Sequence, residues 1–305
     1  MAAIAEADVQ EFEEQRPLLF GVAYRMLGSA TEAEDIVQDA YLRYQAVPRE
    51  EVRNDRSYLV TIVSRLCLDH LKSARVQRER YVGPWLPEPV LTGDDDWRIS
   101  PEGLIDLRES VSMAFLVMLE SLGPVERAVL LLHDVFDYSH AEVGQVVRRS
   151  ETACRQVLKR ARERLAERRP RHVPSLDHQS RLTQQFLSAA ATGDIDGLLA
   201  ALAQDAIAYS DGGGKVAAAL NPIYGADKVA RFVCVFPKKE QTDRIEVHEV
   251  NGQPALLTWL GRHLTNVVLL SFEGDQVVTF YAQRNPDKLR RLRRALTAAT
   301  PRASH

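Results

Sequence analysis

Between Arg148 and Arg171 ten basic residues stand against three acidic ones. Three carboxylates cannot neutralise ten cations by pairing along a helix, so a positive face is left over for a polyanion. The chemistry on offer is recognition. An arginine guanidinium can bind the two acceptors of a guanine edge, and further cations can hold phosphates. The elements that would present these groups are legible around them. Ser139 and Glu142 have the spacing of a capping box that opens a helix. Val143, Val146 and Val147 give that helix one apolar face. Arg148 and Arg149 occupy a turn, and Ser150 can cap the next helix. There Cys154, Leu158, Ala161 and Leu165 recur at helical spacing and should face inward. Glu151, Thr152, Arg155, Gln156 and Lys159 remain outward. A short helix followed by a basic, outward-facing one is the geometry that enters a DNA major groove.

The 305-residue chain has room for two or three domains. Its net charge of −3 gives no argument for nucleic-acid binding, which must rest on local patches. A second patch, 88–109, is acidic: Glu88, Asp94, Asp95, Asp96, Glu102, Asp106 and Glu109 face only Arg98 and Arg108. The three cysteines, Cys67, Cys154 and Cys234, are isolated, which fits a reducing cytoplasm better than a disulfide framework. Cys67 and His70 have no second pair to complete a metal site, and Cys67 reads as core. No cofactor is expected. No signal sequence is evident, and no apolar run approaches the ~18–20 residues of a membrane span.

Residues 8–75 read as helical. Thr31 and Glu34 have capping-box spacing before a helix through Ile36, Val37, Ala40, Tyr41 and Tyr44. Ser57 opens another, with Leu59, Ile62, Val63, Leu66 and Leu71 as its apolar set. Residues 76–107, rich in Pro, Gly and Asp, form a linker. Within it Trp85, Leu86 and Pro87 read as a docking point between domains. Helices resume over 108–168, with a break at Leu122-Gly123-Pro124. A second linker covers 169–178. The domain 179–291 changes character. A helix, a short helix and a strand through Ile207–Ser210 lead into Asp211-Gly212-Gly213-Gly214-Lys215. A helix over 226–236 precedes successive strands at 244–250, 254–261, 263–272 and 276–283. Asn285-Pro286-Asp287-Lys288 caps a last helix, with a tail to 305. Helices followed by a run of antiparallel strands indicate an α+β domain.

The segments 21–44 (GVAYRMLGSATEAEDIVQDAYLRY) and 57–75 (SYLVTIVSRLCLDHLKSAR) resemble the polymerase- and promoter-binding start of extracytoplasmic-function sigma factors. The 138–165 region is similar to the family's second DNA-binding domain, down to Leu158-x-Arg160-Ala161-Arg162. The stretches WLPEP (85–89), DGGGK (211–215) and NPDKL (285–289) resemble marker sequences of the subgroup with a C-terminal SnoaL-like domain. The resemblance implies a multidomain fold: two all-α sigma domains, the second with the helix-turn-helix, then an α+β cone of the SnoaL or NTF2-like type. It implies core RNA polymerase as partner, through the β′ clamp and the β flap, and promoter DNA at the −10 and −35 elements. Asp35, Gln38 and Asp39 would meet the clamp coiled coil. Arg53, Asn54, Asp55 and Arg56 fall in the loop that captures a flipped −10 base, with Arg65, Lys72 and Arg75 as a basic flank. In the second domain Arg155 is the leading base reader, followed by Thr152, Gln156 and Lys159. Arg148, Arg149 and Arg162 hold phosphates. The family often places glycine where this chain has Arg148, which puts the turn geometry or the role of that arginine in question.

The last domain admits two readings. Asp211 or His248 could serve as acid or base in an enzymatic cone, with the chain a DNA-binding regulator rather than a sigma factor. Asp211, however, precedes three glycines, which suggests an exposed tight turn. A non-catalytic, built-in regulator is the better expectation, needing no separate anti-sigma protein. In that reading Asp211–Lys215 and Asn285–Leu289 touch the sigma part.

Overall fold

The structure, a computed structural model, describes residues 2–48, 52, 54–78, 80–92, 107–166, 172–239 and 242–299. The chain divides into two compact units. One comprises 1–79, 94–111 and 118–168; the other comprises 80–93, 112–117 and 169–305. Part of the expected linker therefore belongs to the C-terminal unit.

The first unit is helical. Helix α1 (Ala2–Leu27) ends at Gly28, whose φ of 70° suits a residue without a Cβ. Helix α2 spans Ala30–Gln45 and α3 spans Asp55–Arg78. The cap of α2 is Ser29, which accepts from the Glu32 amide at 3.2 Å. Thr31, expected in that role, already lies inside the first turn. The helix starts earlier because Gly28 turns the chain sharply enough for the next residue to cap. Short helix α4 (Leu107–Val111) follows, α5 (Met113–Leu119) belongs to the second unit as far as Val117, and α6 (Pro124–Leu130), back in the first unit, runs into one π turn, Leu131–Val135. Helices α7 (His140–Val147) and α8 (Glu151–Ala166) are the last described helices of this unit.

Two buried arginines knit the helices of the first unit. Arg25 donates to the Ser110 hydroxyl (2.8 Å) and the Gly21 carbonyl (3.1 Å), with its guanidinium 5.4 Å from the Phe136 ring. Burial lowers its pKa to about 10, still a cation at neutral pH. Arg127 donates to the Met26 carbonyl (2.7 Å) and pairs with Glu120 (2.8 Å).

The second unit is built on a six-stranded sheet in the order β2-β1-β6-β5-β4-β3. Its elements are α9 (Leu176–Thr192), α10 (Ile195–Ala201), β1 (Leu202–Asp211), β2 (Ile223–Tyr224), α11 (Ala226–Lys239), β3 (Arg244–Val250), β4 (Gln253–Leu260), β5 (His263–Glu273), β6 (Gln276–Gln283) and α12 (Pro286–Ala299). Strands β3 to β6 form the antiparallel run that alternation predicts. β1 pairs parallel with β6, a long-range contact that no local pattern encodes. Helices α9, α10 and α11 pack on one sheet face, where Phe186, Phe232 and Phe280 fill the space between helix and strand. The other face packs Trp259, Leu257, Leu269 and Tyr281 against Leu289 and Leu292 of α12, and against Leu86 and Met113.

Candidate nucleic-acid interface and a buried carboxylate

The helix-turn-helix forms as its residues dictate. The Ser139 hydroxyl accepts from the Glu142 amide (3.3 Å), and the Glu142 carboxylate accepts from the Ser139 amide (2.8 Å). Together they close the capping box on α7. Ser150 accepts from the Ala153 amide (3.2 Å) at the start of α8. Cys154, Val157, Leu158, Ala161 and Leu165 are buried, while Arg155, Gln156 and Lys159 are exposed, as is Thr152. Arg155 pairs with Glu151 one turn earlier, and Lys159 reaches Glu163 at 3.8 Å. Such exposed pairs contribute little and open readily to a stronger anion. Arg162 differs: it grips the buried Asp134 through two bonds of 2.9 and 2.6 Å, which raises its pKa further. Its charge serves first to fasten α8 to the π turn.

Arg148 is the C-cap of α7 at φ 55°, ψ 51°, in the left-handed region. The turn keeps the geometry that glycine favours, and an arginine carries the strain. An L side chain there costs about 1–2 kcal/mol, and glycine returns ~0.5–1 kcal/mol of that through its looser unfolded chain. Arg148→Gly is therefore expected to raise stability by up to about 1 kcal/mol, read as a higher thermal midpoint. If Arg148 holds a phosphate, the same variant lowers the salt slope of DNA binding by about one. A lower midpoint would refute the strain argument.

On α2, Asp35, Gln38 and Asp39 lie on the side opposite the buried Ile36, Val37 and Ala40. Asn54 caps α3 by accepting from the Ser57 amide (2.9 Å), and Asp55 accepts from the Tyr44 hydroxyl (2.5 Å). These two residues thus also fix the start of α3. Arg56 is exposed and reaches the Tyr138 hydroxyl. Arg53 and the side chain of Arg75 lie outside the described residues. Lys72 pairs with Asp69 (2.8 Å), both well exposed, and the bond lowers the Asp69 pKa. Arg65 turns from the expected phosphate flank. It donates to the carbonyls of Gln145 (2.8 Å) and Val146 (3.2 Å). A cation there satisfies the end of α7, where carbonyls lack helical partners.

In the second unit the three marker stretches converge. Asp211 is fully buried, not exposed as its glycine-rich setting suggested. Its carboxylate accepts from the Tyr81 hydroxyl (2.6 Å), the Leu86 amide (2.9 Å), the Gly213 amide (3.0 Å) and the Lys288 ammonium (2.8 Å). Lys288 also donates to the Leu86 carbonyl (2.6 Å) and sits 4.1 Å from the Trp85 ring centre. Gln283 reaches the carbonyls of Leu86 and Pro87 (3.2 Å each), and Asn285 donates to the Tyr81 hydroxyl (2.8 Å). Burial first, then the bond to Asp211, pushes the Tyr81 pKa up, so it stays a donor. Further along, the Val90 amide donates to Asn251 Oδ1 (3.2 Å), and Leu91 bridges Val250. Residues 80–92 thus form a strap laid on the C-terminal domain. Asp211–Lys215 and Asn285–Leu289, expected to touch the sigma part, hold this strap within their own unit.

The glycines follow from this packing. A Cβ on Gly212 would overlap the Val216 carbonyl, and one on Gly213 would overlap the Asn285 amide. Lys215 pairs with Asp287, which lowers that carboxyl's pKa, while Pro286 starts α12 and Leu289 enters the core. His248, the other acid–base candidate, is half-buried beside Glu246 (3.3 Å). Sequence reading missed Tyr81 and Gln283. Their only signal was a polar residue next to an apolar segment.

Residues 12–76 match the Sigma-70 region 2 family and residues 112–165 match Sigma-70, region 4. The chain is 40% identical over 229 residues to the ECF RNA polymerase sigma factor SigJ of Mycobacterium tuberculosis, covering 74% of this chain and 72% of that protein. This chain belongs to the extracytoplasmic-function sigma factors. A probable ECF sigma factor of the same organism, SigI, is 32% identical over 286 residues, covering 92% of this chain and 94% of that one. The crystal structure of M. tuberculosis SigJ superposes with a TM-score of 0.72 at 32% identity, covering 92% of this chain and 98% of the other. The protein is thus an alternative RNA polymerase sigma factor, with helical sigma domains and a strand-rich SnoaL-like domain. Its partners are core RNA polymerase and promoter DNA. Among the described residues, no helix is long and apolar enough to cross a membrane.

Proposed function

We propose that the SnoaL-like domain regulates this sigma factor by holding or releasing the strap between its two promoter-binding regions. The observation that carries the reading is the buried Asp211–Lys288 pair, which fastens residues 81–87 through backbone and side chain together. In the chain the strap lies between region 2 and region 4, so its state bears on both. A tethered domain acts at an effective concentration of roughly mM, so a modest contact suffices without a separate anti-sigma protein.

Within this frame α8 reads the −35 element through Arg155, Thr152, Gln156 and Lys159, with Arg148 and Arg149 on phosphates. Residues Arg53–Arg56, with Lys72 and Arg75, serve the −10 element. Asp35, Gln38 and Asp39 meet the β′ clamp, and region 4 meets the β flap. The protein acts in the cytoplasm through the polymerase's chemistry and performs none of its own. Run-off transcription with core polymerase tests the regulation. Wild type and Lys288→Met, each checked as folded by circular dichroism, are expected to differ about fivefold or more in transcript yield. Equal yield and equal promoter affinity would sink the reading.

A further inference from the structure

A cavity of about 340 Å³ opens at the end of the sheet beside α12, on the face opposite the phenylalanine-filled interior. Its size is at the lower end for small-molecule sites. Its walls are of two kinds. Leu260, Leu264 and Leu289 supply apolar surface; Arg284, Arg290 and Arg293 supply three guanidiniums. The Arg293 guanidinium lies 3.3 Å from Nδ1 of His263. Arg290 bonds Asp287 (2.9 Å), and Asp287 is already shared with Lys215. Among the described lining residues none is acidic, and with Asp287 beside Arg290 this wall keeps a net positive charge, which a bound anion would neutralise. Arg284 is half-buried and donates to the Ala217 carbonyl, and burial lowers its pKa.

We infer that this cavity binds a small organic anion with an aliphatic body and a carboxylate head, the tail against the leucines and the head between Arg290 and Arg293. Arginine's planar fork matches a carboxylate bidentately, and the apolar wall selects against inorganic ions. The site stands independently of the regulatory reading, since none of its walls belongs to the strap.

Titration calorimetry on the full chain with octanoate, and with octan-1-ol as the uncharged counterpart, tests it. Octanoate is expected to bind saturably at one site, at least about tenfold more tightly than octan-1-ol. The Arg290→Gln/Arg293→Gln double variant should weaken octanoate about tenfold or more. Leu260→Asp, which changes an exposed wall residue and leaves the core intact, should do the same. Unchanged binding in either variant overturns the inference, as does parity with octan-1-ol or no saturable binding at all.

Discussion

Replacing Asp211 with alanine is expected to cost about 3–5 kcal/mol of stability in the C-terminal unit and to free the strap. Asp211 gathers four short bonds in a site closed to water, from Lys288, Leu86, Tyr81 and Gly213, and a longer one from Gln283 (3.3 Å). Removing it leaves the Lys288 ammonium, 13% exposed, without its carboxylate. It also leaves a backbone amide and a phenol without their acceptor, each a desolvation cost of ~1–3 kcal/mol. The Asp211→Ala/Lys288→Met pair should recover part of the loss, because a buried pair costs more when broken than when removed. Urea unfolding followed by tryptophan fluorescence reads both, since Trp85 lies in the strap and Trp259 in the core. A loss under about 1 kcal/mol in the single variant, below the cost of one orphaned buried donor, would refute the latch.

Arg155→Ala is expected to weaken −35 recognition by about 1–3 kcal/mol, roughly five- to 150-fold, and to relax base preference at one position. The fold should not suffer, because its pair with Glu151 is an exposed one along the same helix. Arg149→Ala, by contrast, should weaken all sequences alike and lower the salt slope by about one, as a phosphate contact does. Promoter-duplex anisotropy with the reconstituted holoenzyme separates the two. An Arg155 variant that loses affinity evenly across sequences would remove it as the base reader.

Where local chemistry decides, the residues themselves were enough. The Ser139–Glu142 box, Ser150 and the 154–158–161–165 stripe all stand as their spacing predicts. The strands from 244 to 283 fall within a residue or two of their alternation. Where distant segments decide, local pattern was silent. Nothing near Ile207 says that its strand runs parallel to β6. Asp211 looked exposed because glycines usually mark open turns, yet here they let the Val216 carbonyl and Asn285 close over it. Arg65 looked like a phosphate ligand because its partners, the carbonyls of α7, lie far along the chain. Arg25 sat inside an apolar stripe, where a charged residue announces burial, but its Ser110 partner is equally remote.

The strap also sets the length of a leash. Helix α3 ends at Arg78 and α4 begins at Leu107. Fully drawn out, the chain between them could span roughly 100 Å at ~3.3–3.6 Å per residue. Binding residues 81–92 to the sheet withdraws twelve residues from that reach, roughly 40 Å. The latch around one buried carboxylate thus shortens the contour between the region 2 and region 4 segments by roughly two fifths.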